Sequence, residues 1–297
     1  MSLAMKQSLL AYAQLLRLPN VFTAFADIAM SACAAGYVLE AFDTFALLLM
    51  ASGSLYCGGM VWNDIFDRRE DRKTQAFRPI PSGRVPVQNA VGIGIITFAL
   101  GIGCGAIANV PLEILIALPA MILLYNSWLK HTPLGPVAMG ACRFLNVLMG
   151  LSGSGLDIWT DLNLHLAATT GLYIVGVTWF ARTEESISAR RSLTAASVVI
   201  FVAIVLAVTV PSHLAAERGT VFFPYLLVAF SFLIGVKLVA AIQQPGPKPV
   251  QAAIKRCILG LIVLDAILAT AFVGLTGLLI LLLLPPALWL GKWVYST

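Results

Sequence analysis

The chain has 297 residues, of which 59% are apolar and 11% charged, against about 25% charged in a soluble domain. Uncharged runs near the ~20 residues that cross a bilayer recur throughout, which excludes a soluble architecture and predicts an all-α, polytopic membrane bundle in one domain, 1–297. The net charge of +5 and pI of 9.0 do not indicate nucleic acid, because the basic residues fall in short loops between apolar segments, where they report topology.

The opening MSLAMKQSLLAYAQLLRLPNVF has no small-residue cleavage site after a short apolar core. It reads as an interfacial amphipathic lead-in to the first span, not a removed signal. Apolar segments then follow at 18–39, 43–63, 87–109, 111–129, 134–152, 164–181, 193–211, 221–242, 253–273 and 276–296. These give nine transmembrane helices, or ten if the last segment also crosses, since little more than Gly274 separates the final two.

With the N-terminus in the cytoplasm, alternate loops place sixteen of the nineteen Lys and Arg residues at the inner face. Only Arg218 falls outside, while Arg143 and Lys237 lie within spans. This bias satisfies the positive-inside rule for a multi-pass protein of the cell (inner) membrane. The five cysteines all sit in apolar segments without metal-ligand spacing and read as small buried side chains.

Ten of the charged side chains crowd into NDIFDRREDRKTQAFRPIPSGR, Asn63 to Arg84. On the expected inner face the acids are Asp64, Asp67, Glu70, Asp71, Glu184 and Glu185, confined to two loops. Asp64, Asp67 and Asp71 are spaced i, i+3, i+7, so a helix continuing past the second span puts all three on one face. Asn63 adds an amide oxygen beside them. Hard oxygen donors in this pattern suit Mg²⁺, which takes one or two carboxylates and completes its shell with substrate phosphates. Arg68, Arg72, Arg78 and Arg84 supply forks for phosphate oxygens.

NDxxDxxxD followed by RPIPSGR resembles the first aspartate-rich motif of the UbiA superfamily of intramembrane prenyltransferases. Arg17 and Asn20, as R-x-x-N entering the first span, match the family's start, and YNSWLKHTPLGP (Tyr125 to Pro136) resembles its Y-x-x-x-x-K-x-T segment. The resemblance implies Mg²⁺-dependent transfer of an isoprenyl group from a prenyl diphosphate donor to a hydrophobic, aromatic or lipid-like acceptor within the membrane lipid. It assigns Asp64, Asp67 and Asp71 to catalysis, and Asn63, Asp64, Asp67 and Asp71 to the metal. Arg78 and Lys130 would neutralise diphosphate oxygens, with Asn20 at the substrate cavity.

The second inner loop departs from that family's pattern. TWFARTEESISARR, Thr178 to Arg191, holds no aspartate, and the adjacent Glu184 and Glu185 would point about 100° apart on a helix. The ARTEES segment is similar to that of the UbiA-like EboC subgroup. Glu184 remains a candidate metal ligand, with Arg182 beside it for phosphate; the alternative is a basic membrane-flanking loop with compensating acids. A non-catalytic or transport-associated protein that binds an isoprenoid diphosphate is the competing function. Arg143 and Asn146, i and i+3 in the fifth span, are read as substrate-cavity contacts, because a charge at that depth faces a cavity or a partner. Asp27 and Asp265 are the available partners.

Overall fold

A computed structural model describes residues 3–184, 187–214 and 221–294. Glu185, Glu217 and Arg218 of the sequence reading lie outside them. The described residues form helices and contain no strand. In order these are α1 (Leu3–Leu15), α2 (Leu18–Ala35), α3 (Phe42–Thr74), α4 (Val87–Ile107), α5 (Leu112–Ser127), α6 (Gly135–Leu151), α7 (Asp161–Ala181), α8 (Arg190–Val208), α9 (Phe223–Gln243), α10 (Pro247–Val273) and α11 (Leu284–Trp293). A short 3₁₀ turn, Leu129–His131, links α5 to α6, and a longer one, Gly274–Leu283, links α10 to α11.

Helix α1 precedes the first span and packs on the projecting part of α3 and the turns after it. Its Ala11 and Leu15 bury against Val61, Ile65, Ile80 and Val85, while Leu9 and Leu10 stay exposed. Arg17 ends it with φ +47°, a left-handed conformation that costs a non-glycine residue about 1–2 kcal/mol. The chain then turns into α2, whose Pro19 sits in the first turn, where its missing N–H costs nothing.

Among the described residues eight helical stretches are long and apolar enough to cross a membrane, and Leu112–Ser127 is a shorter apolar helix. The last stretch, Pro247–Trp293, reverses at Gly274, whose φ of +67° and ψ of −155° lie in a region essentially restricted to glycine. A Cβ on Gly277 would meet the Ala269 and Thr270 backbone at 2.7 Å, so the segment after Gly274 runs back along α10. It returns to the start of α2, where the same construction at Gly291 meets Pro19. Ten residues of 3₁₀ and ten of α-helix rise about 35 Å, enough to cross the ~30 Å hydrocarbon core. With the shorter Leu112–Ser127 helix and this returning segment, the described residues are consistent with the nine or ten passes expected.

Close backbone approach holds the middle of the bundle. A Cβ on Gly140 of α6 would lie 2.6 Å from the Gly171 carbonyl oxygen of α7, the small-residue packing that brings spans together in lipid. The larger core cluster draws on α2 through α11. The lipid-facing sides of α8 and α9 leave Val202, Val205, Phe232 and Val236 exposed. Helix α3 continues well past spanning length, 33 residues in one piece, so its last turns project from the same face where α2 begins and α7 ends. We call this the mouth face.

Candidate active site

The projecting end of α3 carries the carboxylates. Asp64, at 2% exposure, and Asp71, at 4%, are buried, and Asp67 is partly so. Buried carboxylates require compensating charge, and the loop after α3 supplies it. The segment Gln75–Pro86 is a compact set of turns pinned by buried Ile80 and Val85 and by Arg84, which donates to the Gln14 side chain (2.7 Å) and the Phe77 carbonyl (2.6 Å). That fold aims Arg78 back at α3. Its Nη1 lies 2.9 Å from Asp71 Oδ2 and 3.7 Å from Asp64 Oδ1.

Two more cations close the cluster. Arg17 Nη2 is 3.4 Å from Asp64 Oδ1, and the residue's left-handed backbone is the local device that turns it there. Lys130, placed by the 3₁₀ turn after α5, sits 2.5 Å from Asp67 Oδ1 and 3.2 Å from Asn63 Oδ1. Asp64, Asp67 and Asp71 thus share one helix face as their spacing predicts, and Asn63, Arg78 and Lys130 are brought to the same cluster. Arg72 is exposed, one residue and about 100° around the helix from Asp71. Arg68 turns onto its own helix, donating to the Ile65 carbonyl at 2.8 Å.

Beside this cluster opens a cavity of about 540 Å³ between α2, α3, α5, α6, α7 and α10, within the usual range for a small-molecule site. Its mouth is lined by Arg17, Asn20, Gln75, Arg78, Tyr125 and Glu184, and its depth by apolar side chains such as Leu55, Leu118, Ile174, Ile258 and Leu261. Arg17 and Arg78 belong to the lining, while Asp64 and Asp71, which they pair, and Asp67, which Lys130 pairs, do not. Arg182 is exposed at the end of α7 and lies outside the lining.

Along α2, one and two turns on from Asn20, Thr23 and Asp27 belong to a polar group that interrupts the apolar wall. Arg143 donates to Asp27 Oδ2 at 2.9 Å and to Thr23 Oγ1 at 2.7 Å. Asn146 donates to the same Asp27 oxygen at 2.7 Å and accepts from Ser52 at 2.8 Å. The guanidinium also lies 5.7 Å over the Tyr56 ring, a cation–π geometry. Both predicted residues line the cavity, and Asp27 is the partner of Arg143. Asp265 is fully buried in α10 and makes no ion pair among the described residues.

Arg17, Gln75 and Tyr56 were not singled out as site residues from sequence. For Arg17 a signal existed, the R-x-x-N spacing with Asn20. For Gln75 and Tyr56 none did.

Among the described residues, no three His, Cys, Asp or Glu side chains converge to cage a metal. The donor set is nevertheless hard oxygen, Asn63, Asp64 and Asp67 on successive turns of one rigid helix, all now engaged by cationic or amide groups. It fits a Mg²⁺ ion that takes one or two carboxylates and receives its other oxygens from a phosphate or water.

The UbiA prenyltransferase family model matches residues 21–256. This chain belongs to the UbiA prenyltransferase family. A digeranylgeranylglyceryl phosphate synthase of Saccharolobus solfataricus is 30% identical over 156 residues, 52% of this chain and 54% of that protein. The match thus spans about half the relative's length. A solved structure concerned with digeranylgeranylglyceryl phosphate synthase superposes with TM-score 0.67 at 19% identity, covering 91% of this chain and 99% of that one. A UbiA homolog from Archaeoglobus fulgidus bound to GPP and Mg²⁺ superposes with TM-score 0.52 at 16% identity, covering 84% and 99%. At these identities the superpositions show that the UbiA member described here shares their multi-pass membrane fold.

Proposed function

We propose that the protein transfers an isoprenyl group from a prenyl diphosphate to a hydrophobic acceptor in the membrane. The observation that carries this is the juxtaposition of an acid and arginine cluster with the mouth of a deep apolar cavity. The diphosphate is held at the mouth and the prenyl tail extends inward along Leu55, Ile174 and Ile258. Arg17 and Arg78, which line the cavity, and Lys130, which sits on Asp67, would turn from carboxylate to phosphate oxygens, a short move for long side chains.

Asn63, Asp64 and Asp67 would hold Mg²⁺, with Asp71 and Glu184 as further oxygen donors; when bound, the metal would neutralise charge on the departing diphosphate. Burial by apolar walls keeps water from the allylic carbon once its bond to oxygen breaks with the electron pair on the diphosphate. Arg78 and Lys130 stabilise the developing negative charge. The acceptor then adds at the allylic carbon and loses a proton. The polar group at Arg143, Asn146 and Asn20 is where a hydrogen-bonding acceptor headgroup would rest. In this reading Arg72 and Arg182, both exposed, contribute long-range attraction for the diphosphate without touching it. We place the mouth face and the N-terminus on the cytoplasmic side of the cell membrane, supported by the concentration of Lys and Arg there.

The test is pyrophosphate release by the purified chain in lipid nanodiscs with geranylgeranyl diphosphate, Mg²⁺ and a membrane lipid extract. Release that EDTA and Asp67→Asn both abolish is the expected result. Saturable donor binding without release, across an acceptor panel of lipids and quinols, would instead indicate the non-catalytic binding protein.

A further inference from the structure

Charge on the mouth face is divided unevenly. Around the end of α3 each buried carboxylate has its own cation. Around the mouth-face ends of α8, α9 and α10 six cations are exposed, Arg190, Arg191, Lys237, Lys248, Lys255 and Arg256, and the acids nearest to them in sequence are Glu184 and Glu185, ahead of α8. Between Glu185 and Asp265 the sequence holds one acid, Glu217, in the connection at the opposite ends of α8 and α9. None of the six takes part in an ion pair among the described residues.

These groups form one surface. Arg190 Nη2 donates to the Gln243 carbonyl at 3.0 Å, and the Ser188 N–H donates to the Pro245 carbonyl at 3.0 Å. Those bonds seat the N-terminus of α8 beside the short α9–α10 connection, and so beside the N-terminus of α10. Each helix N-terminus carries roughly half a positive charge from its unpaired N–H groups. Both would ordinarily take an acid in the first turn, and neither has one. Arg190 and Arg191 occupy the first turn of α8 and Lys248 that of α10. Topology asks for cations on this face, but not for cations stacked on two helix N-termini with no acid in either first turn.

The walls next to these cations are apolar. Val198, Phe201 and Val202 of α8 and Phe232, Val236 and Val239 of α9 are exposed. Lys237 lies six residues from the end of α9, close enough for its ammonium to reach the headgroup level along that wall. A ligand that matches the surface has an anionic head at the helix ends and apolar chains along α8 and α9.

We infer that the mouth-face ends of α8, α9 and α10 bind the headgroups of anionic phospholipids, beside the entrance to the cavity. Gln251, one turn from both Lys248 and Lys255, lines that cavity, so a lipid held there borders the entrance. The inference does not depend on prenyl transfer.

The test is native mass spectrometry of the full chain, released from detergent after titration with phosphatidylglycerol or phosphatidylcholine. Wild type should retain phosphatidylglycerol about tenfold better, an effect of the size expected for a few headgroup-level cations. The preference should shrink at high salt and withstand inorganic phosphate at matched ionic strength. The triple variant Arg190→Gln, Arg191→Gln, Lys248→Gln should lose it, and Arg69→Gln with Lys73→Gln, exposed cations on α3, should keep it. If the triple variant does not fold, Lys248→Gln alone should show a partial loss. No headgroup preference in wild type, displacement by phosphate alone, or an unchanged preference in the folded variants would overturn the inference.

Discussion

The ends of α3 and α7 meet at the same cavity mouth, where Gln75 and Arg78 follow one and Glu184 follows the other, yet they are built differently. Helix α3 runs on to Thr74, so Asp64, Asp67 and Asp71 stand on a continuous helix with spacing fixed by its pitch. Helix α7 stops at Ala181, and Glu184 sits in the following turn, its N–H bonded to the Ala181 carbonyl at 3.2 Å. A helix holds several oxygens in register; a turn presents one. Among the described residues the oxygen donors are therefore concentrated on the α3 side of this mouth, and the α7 side contributes one carboxylate, Glu184, near cations that make no ion pair among the described residues.

That contrast can be broken by substitution. Asp64→Asn and Asp67→Asn remove charge where the diphosphate must be neutralised, and each should lower the rate of pyrophosphate release by about 10²–10³, the scale of losing one preorganised electrostatic group. The purified variants should elute and melt as folded protein. Arg78→Lys retains charge but loses the planar guanidinium whose Nη1 serves both Asp64 and Asp71, so release should fall by about 10–100-fold, as for a charged hydrogen bond worth about 1.5–3 kcal/mol. Glu184→Gln should cost about tenfold, one such bond at the low end of that range, seen in the Mg²⁺ dependence of the initial rate. A loss as large as that of Asp67→Asn would mean the two sides are equivalent after all. Arg72→Gln, on the exposed side of α3, should change the rate by less than about twofold, within the ±0.5 kcal/mol of ordinary surface substitutions.

Much of this arrangement was legible before any coordinates. Hydropathy located the spans because lipid demands that backbone groups be satisfied within helices. The i, i+3, i+7 spacing of the aspartates, with charges continuing to Lys73, foretold a helix that outruns the bilayer. The partnership of Arg143 with Asp27 was open to expectation because a cation at that depth needs an anion.

What escaped depended on contacts distant in sequence. Arg17 reaches Asp64 only because its left-handed backbone turns α1 into α2, and no local pattern encodes that direction. Arg72 sits in the same charged run as Arg78 but one position from Asp71 on the helix, and pitch alone turns it outward. The returning segment after α10 is partly a 3₁₀ helix, Gly274–Leu283, whose reversal hangs on Gly274, a single residue that hydropathy averages away. Burial of Asp64 and Asp71 likewise became visible only once the RPIPSGR turns were folded over them.

The central claim is that the α3 carboxylates hold a divalent metal together with a diphosphate and not alone. Electron paramagnetic resonance of Mn²⁺ added to the protein in nanodiscs, with and without geranylgeranyl diphosphate, tests it most directly. The account predicts weak Mn²⁺ binding by the protein alone, tight binding with phosphorus coupling when the diphosphate is present, and loss of that state in the Asp64→Asn, Asp67→Asn double variant. Tight Mn²⁺ binding without diphosphate, or a diphosphate complex unchanged in the double variant, would contradict it.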